Sequence, residues 1–338
     1  MTTAEPLSPD RIMQFAWGYA PTLIIEAAVR HGVFEFLERG PRPLGQLVAE
    51  TGTSVRGLTA ILNALVGLKL LARVEGGYAL TPESAAFLVS SKPDYRGQFF
   101  QHHTEQLLPQ WQHLAEVVRT GKPVARTDRQ REGGEYFARF VESLFPGNYP
   151  AARALGEHLG LAKATAPVSV LDIGAGSGVW GIALAKQSSH VRIRAVDWPR
   201  VLEVTRKVAS RHGVADRLTT GAGDLFEADF GQGHQVAVLG HILHSEGPDR
   251  CRRLLQKTYA ALAPGGTLAI HEFVPDDDRS GPPQPLIFAV NMLVNTEAGS
   301  TYTFAEMGTW LREAGYRNPR LLEVPAPSPL VLADKPPV

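Results

Sequence analysis

The chain has 338 residues, 44% of them hydrophobic, and its 34 Lys and Arg balance its 34 Asp and Glu. That length supports about two domains with cores of their own, and the balance gives no global attraction to nucleic acid or an anionic membrane. The single cysteine, Cys251, excludes intrachain disulfides and cysteine-based metal clusters and fits a reducing cytoplasm, while MTTAEPLSPD is no export leader and no apolar run reaches the ~18 residues that span a bilayer.

Ser8, Pro9 and Asp10 mark a helix start, and IMQFAWGYAPTLIIEAAVRHGVFEFLERG carries apolar residues at helical spacing, split near Gly18 and Pro21. PLGQLVAETG, SVRGLTAILNALVGLKLLARV and GYALTPESAAFLV then read as a short helix, a longer helix and a hairpin tipped by Gly76 and Gly77. This winged-helix pattern occupies residues 1–95. Its longer helix has the place of a DNA reader. Between Thr53 and Leu70, however, only Arg56 and Lys69 are charged, which offers few phosphate contacts. Packing and dimerisation is therefore the expected role. Trp17, Tyr19, Phe34 and Phe36 are more apolar surface than so small a module buries, so a homodimer is expected.

Residues 96–161 read as a helical linker that contributes to a pocket. Gln98 to Arg119 is amphipathic, TGKPVARTDRQREGGE is a polar loop, and Tyr136 to Leu159 is helical with one break at PGNYP. His103, Trp111, Phe145, Asn148 and Tyr149 are its candidate pocket residues. Adjacent His102 and His103 lie about 100° apart on a helix and make a poor metal pair, and no metal site is expected.

Over residues 162–338 strands alternate with helices. The apolar run Val168 to Ile173 reads as a buried parallel strand, Gly174, Gly176 and Gly178 as a turn, and GVWGIALAKQ as a helix. A strand that empties through glycines into a helix makes a nucleotide site, because glycine allows positive φ and the helix start offers free N–H groups. Gly176, Gly178 and Gly181 satisfy GxGxxG with Asp197 about 20 residues on, which leaves a dehydrogenase open. VRIRAVD, LTTGAGDLF, QVAVLGHILH and TLAIHEFVP read as further strands, and PRVLEVTRKVASRHG and PDRCRRLLQKTYAALAPGG as helices, the second closed by Gly265 and Gly266. A helix from Thr303 to Ala314 precedes RLLEVPA and PLVLADKP, a final antiparallel pair. The expected fold is α/β, a doubly wound Rossmann-like sheet with an antiparallel last strand behind an N-terminal all-α winged-helix domain. Asp197, Asp224, His244 and Glu272 fall at strand C-terminal ends.

DxGxGxG from Asp172 resembles the first motif of S-adenosylmethionine (SAM) methyltransferases. Nearly the whole chain resembles the small-molecule O-methyltransferases of the acetylserotonin and caffeate type. VDWPRVLE is similar to that family's DLPxVIE, GDLF to its GDMF, ILHSEGPDRC to its ILHDWxDExC, and AIHEFVP to its xExxxP. The resemblance implies a SAM-binding set of Asp172, Gly174, Gly176, Gly178, Asp197 (ribose), Trp198, Asp224, Leu225, Phe226 (adenine) and Gly240. It implies His244 as general base, oriented by Glu272, and adds His241, Asn291, Met292 and Asn295 to the acceptor pocket. The chemistry suits these residue types: in-line methyl transfer needs proximity and a group that takes the acceptor proton, and an imidazole titrates in the useful range.

The chain departs from the family at several points. Ser245 and Glu246 replace the Asp and Trp after the histidine, and Gly240 stands where many members carry Lys or Arg. Thr301 and Tyr302 replace the second carboxylate and the Arg, leaving Glu297 upstream as a substitute. A SAM-dependent O-methyltransferase acting on an aromatic or polyketide-like hydroxyl is the leading expectation. C- or N-methylation, a SAM-binding relative with non-methylating chemistry, and a ligand-sensing DNA-binding dimer are the alternatives.

Overall fold

A computed structural model describes residues 7–124, 133–138 and 140–337, and the chain divides into two units, Met1–Pro109 and Gln110–Val338. The first contains α1 (Asp10–Ala16), α2 (Ala20–Arg30), α3 (Val33–Glu38), α4 (Leu44–Thr51) and α5 (Val55–Gly67). A hairpin of β1 (Leu71–Val74) and β2 (Gly77–Leu80) follows, then α6 (Pro82–Phe87) and α7 (Gly97–His102). The expected split falls at residues 17–19, and Pro21 occupies the first turn of α2, where an N–H would have no intrahelical partner. Phe34, Leu47, Leu62, Leu65 and Tyr78 bury fully and tie α3, α4 and α5 to the hairpin. Helix α1 buries nothing: Ile12, Met13 and Phe15 are exposed, as are Trp17 and Tyr19 after it.

The single helix expected from Gln98 to Arg119 is broken. Leu108 N–H donates to His103 O, one residue beyond α-helical reach, immediately before Pro109, which has no N–H to offer Glu105. A π turn over His103–Leu107 is the result. Two short helices follow, α8 (Leu108–Trp111) and α9 (Leu114–Thr120). Residues 125–132 of the polar loop expected from Thr120 to Glu135 lie outside the described residues, and its last three residues belong to a helix.

After α10 (Gly133–Ala138), PGNYP opens the next helix instead of breaking it. Helix α11 (Phe145–His158) takes Pro146 in its first turn and Pro150 inside, and the break lies at the 3-10 turn Val141–Leu144. The fixed φ of Pro146 suits that first turn, and Pro150 forfeits one bond near the helix start.

Among the described residues the second unit is organised by seven strands: β3 (Val168–Ile173), β4 (Val191–Asp197), β5 (Leu218–Ala222), β6 (His234–Gly240), β7 (Leu262–His271), β8 (Arg317–Leu322) and β9 (Leu330–Asp334). Their order is β5-β4-β3-β6-β7-β9-β8. Neighbours pair in parallel from β5 to β7, and β9 runs antiparallel to both β7 and β8. Helices α12 (Val179–Ala185), α13 (Pro199–Arg211), α14 (Pro248–Ala261), α15 (Pro283–Asn295) and α16 (Phe304–Glu313) complete it. Successive strand residues point to opposite faces, and both faces are covered. Val170, Val236 and Val238 join Leu155, Trp180 and Leu184 of α11 and α12. Leu171, Leu239 and Ile270 join Leu254, Trp310 and Leu311 of α14 and α16.

One local expectation needs correction. Gly265 and Gly266 do not close α14 but lie inside β7, where its pairing with β6 shifts register beyond His234. Helix α15 opens on Pro282, Pro283 and Pro285. They occupy its cap and first turn, where no N–H is required.

Strand order reverses at β3, which has β4 on one side and β6 on the other. The chain leaves these strands in opposite directions and opens a crevice at their C-terminal ends.

Candidate active site

The turn after β3 holds Gly174, Gly176 and Gly178 at φ of +62°, +56° and +77°. A Cβ at Gly174 would lie 2.2 Å from Ile242 Cδ1, so only glycine lets this turn and the one after β6 touch. Gly176 N–H donates to Asp197 Oδ2 at 2.8 Å and Trp198 N–H to Asp197 Oδ1 at 2.7 Å. Asp172, in β3, accepts Gly181 N–H at Oδ2 (2.9 Å), and its buried Oδ1 has no partner. Burial pushes Asp172 up to about 7 against the pull of Gly181 N–H, with the charge of Asp197 adding to the rise. Burial likewise pushes Asp197 up to about 6, against its two N–H donors. This end of the sheet thus holds more negative charge than its own donors satisfy, which suits a ligand bearing hydroxyls and positive charge. Gly181 has a packing role, since a Cβ there would meet Ile193 at 2.6 Å.

Asp224, two residues past β5, accepts Phe226 N–H at Oδ1 (2.8 Å). Leu225 lies beside Gly174 and Ile242, whereas Phe226 turns toward α14, with the Arg250 guanidinium 3.8 Å from its ring centre. Trp198 borders Gly134 of α10. A side chain at Gly240 would strike Trp180 Nε1 at 2.1 Å, so the indole of α12 fills the space that a Lys or Arg would need.

His244 lies in a 3-10 turn, Leu243–Ser245, past β6, and Glu272 is the first residue beyond β7. His244 Nδ1–H donates to Glu272 Oε2 at 2.7 Å, and His244 backbone N–H reaches Oε1 at 3.3 Å. Burial alone would raise the Glu272 carboxyl, but the facing His244, through its charge and its hydrogen bond, holds it below its ordinary range. Phe288 of α15 meets the His244 ring edge-on at 4.9 Å, and Phe273 packs against Phe288 at 4.1 Å. Glu246 pairs with Arg250 and its backbone O accepts the Tyr302 hydroxyl at 2.5 Å. Ser245 Oγ donates to Ile242 O, Thr301 Oγ1 is buried without a partner, and Glu297 is exposed.

The expected pocket residues fall into separate groups. Asn148 Oδ1 lies 3.3 Å from His241 Nε2, and His241 Nδ1 lies 3.9 Å from Glu272 Oε2. Trp111 Nε1–H donates to Asn291 Oδ1 at 2.8 Å, Asn295 Nδ2 bonds the same residue, and Met292 is buried beside them in α15. Phe145 stacks instead on His212 at 4.6 Å, with Tyr149 beyond it. His103 belongs to the first unit, where its Nδ1 bonds Phe99 O at 2.8 Å. Sequence reasoning missed Phe273, Phe288 and Trp180. Phe288 was findable, since it lies one helical turn before Asn291 once α15 is recognised as a helix.

An O-methyltransferase dimerisation domain family matches residues 13–90, and an O-methyltransferase domain family matches residues 157–317. The 3-hydroxy-5-methyl-1-naphthoate 3-O-methyltransferase of Streptomyces sahachiroi is 33% identical over 94% of this chain and 92% of its own. The tetracenomycin polyketide synthesis 8-O-methyl transferase TcmO of Streptomyces glaucescens is 29% identical over 97% of both chains. In fold, the chain is similar to human N-acetylserotonin methyltransferase in complex with SAM, with a TM-score of 0.87 at 23% identity over 99% of this chain and 100% of that one.

Asp172 and Asp197 titrate higher in the fold than in an unfolded chain. Their contribution to stability is therefore complete below the unfolded carboxylate value and is lost as pH rises through about 6 and about 7. Asp172→Asn keeps an acceptor for Gly181 N–H without the charge. In urea titrations of the ligand-free protein it should be more stable than wild type at pH 8, by on the order of 2 kcal/mol, and lose that advantage toward pH 5. A wild type more stable at pH 8 would mean that the Asp172 charge is compensated.

Proposed function

Because the chain belongs to the O-methyltransferase family, with SAM as methyl donor, we propose that it methylates a hydroxyl of an aromatic or polyketide-like small molecule with His244 as general base. The observation that carries this reading is the 2.7 Å His244–Glu272 bond at the same sheet end as the glycine turn. The donor's sulfonium supplies an electrophilic methyl group, and the protein supplies position, dryness and a proton acceptor.

For the donor, Asp197 has one lone pair on each oxygen occupied by a backbone N–H, leaving the others for two ribose hydroxyls. Asp172 puts negative charge beneath the glycine turn, on the side of the methionine ammonium. Gly174, Gly176 and Gly178 keep the turn free of side chains, and Gly240 leaves its neighbouring space to Trp180. Trp198 and Leu225 border the adenine, Phe226 braces the loop, and Asp224 faces the exocyclic amine.

For the acceptor, Glu272 stays ionised and is acceptor-only, so it holds the proton on His244 Nδ1 and leaves the Nε2 lone pair free. As the acceptor oxygen attacks, its proton passes to Nε2, and the imidazolium formed is stabilised by Glu272. Phe273 and Phe288 offer ring faces to a planar acceptor, and the naphthoate and tetracenomycin enzymes among its relatives support that class. His241, Asn148, Trp111, Asn291, Met292 and Asn295 complete the pocket walls.

The exposed apolar residues of α1 and the dimerisation domain support a homodimer, and the single charge in α5, Arg56, argues against DNA binding. No helix among the described residues is long and apolar enough to cross a membrane, and a cytoplasmic location is our reading.

Light scattering at micromolar concentration should give the mass of two chains; a monomer would remove the dimer. Asp197→Ala should bind SAM about 10 to 100-fold more weakly by calorimetry, a loss of roughly 1.5 to 3 kcal/mol for two unpaired hydroxyls. Unchanged affinity would remove the ribose assignment. His244→Gln should bind SAM as wild type does yet produce S-adenosylhomocysteine about 10² to 10⁴-fold more slowly with hydroxynaphthoate acceptors. Undiminished turnover would show that the reaction proceeds without this base.

A further inference from the structure

His241 is the residue the reaction leaves unexplained. It holds a left-handed backbone at φ +60°, uncommon for a non-glycine residue, and its N–H donates to His271 O at 2.8 Å. Its ring tautomer follows from its neighbour. Asn148 Nδ2 donates to Leu144 O at 3.2 Å, so Asn148 Oδ1 is the atom facing His241 Nε2. An amide oxygen only accepts, so Nε2 carries the hydrogen and Nδ1 is left as a bare lone pair. That Nδ1 is buried, has no hydrogen-bond partner, and lies 3.9 Å from Glu272 Oε2, a carboxylate oxygen that is itself electron-rich.

Two lone pairs facing each other in a dry site call for a cation. We propose that His241 Nδ1, Glu272 Oε2 and His244 Nδ1 form a binding site for a divalent transition metal ion such as Zn²⁺, and that its occupation ties up the base. One donor atom from each of the three residues lies within 4.8 Å of the others. The separations of 2.7 Å and 3.9 Å from Glu272 Oε2 bracket the about 3.4 Å between neighbouring donors around a tetrahedral zinc ion. Neutral imidazole and carboxylate are zinc ligands, and Asn148 is the outer partner that fixes the ligating tautomer. To bind the ion, His244 gives up its Nδ1 proton and carries one on Nε2 instead, so the neutral ring changes tautomer with no net proton release. Nε2 can then no longer accept the acceptor's proton. This inhibition rests on His244 being the base, whereas the binding site does not.

The test uses the full-length, ligand-free protein with Zn²⁺ in calorimetry and Co²⁺ in visible absorption. Wild type should bind one ion per chain, His241→Gln and Glu272→Gln should lose that binding, and Asn148→Ala should weaken it about 10 to 100-fold. A thermal shift with SAM identifies the variants that are folded. Turnover with hydroxynaphthoate acceptors should stop as the site fills and return with chelator. Absence of saturable binding in wild type overturns the site, as does binding that folded His241→Gln retains. A filled site with unchanged turnover overturns the capture of the base and leaves the metal site standing.

Discussion

The contact between Gly174 and Ile242 is the constraint on which the site depends. It joins the turn leaving β3 to the turn leaving β6, the two strands between which the sheet order reverses. A methyl group at position 174 would overlap Ile242 by more than an ångström, so the glycine is what lets the β6 turn, with His241 and His244, lie against the glycine turn after β3. Methyl transfer is an in-line reaction between two bound molecules, and holding both at one crevice is most of what a protein can contribute to it.

Charge is the second organising element. Asp172, Asp197 and Glu272 are all buried at one end of one sheet, and burial pushes each upward, yet only Glu272 has a partner that reverses the shift. Glu272 faces imidazoles and keeps its charge. Asp172 and Asp197 face only backbone N–H groups, which offset part of the desolvation, so their anionic forms cost the ligand-free protein stability. In the proposed role of these two residues, a bound donor with hydroxyls and an ammonium offsets that cost and couples stability to cofactor binding.

The surroundings of the proposed base differ from those implied by family resemblance in a way that geometry makes intelligible. Thr301 brings no charge, and Tyr302 spends its hydroxyl on Glu246 O, bracing the turn that follows His244. The carboxylate also faces, without bonding it, a second histidine, His241, kept neutral by burial. The site therefore has one anion and two imidazoles, a donor set with affinities of its own.

How much of this was legible depended on whether a residue's role is set by chain neighbours or by distant ones. The glycine turn, the alternation of strands and helices, and Asp197, Asp224, His244 and Glu272 at strand ends follow from local pattern, because strand periodicity and turn chemistry act over a few residues. The prolines of α11 misled for the same reason: proline breaks a helix interior but suits its first turn, and only the start position distinguishes them. Residues whose partners lie far along the chain were decided by the tertiary structure alone. Trp180 fills the space at Gly240, Phe145 stacks on His212 away from the base, and Asn148 sets the tautomer of His241 from 93 residues away. Sequence by itself determined the strand ends, those of β3, β4 and β5, at which SAM is expected. Packing decided which side chains surround the reacting atoms, because steric fit and hydrogen-bond pairing are settled only when separate elements meet.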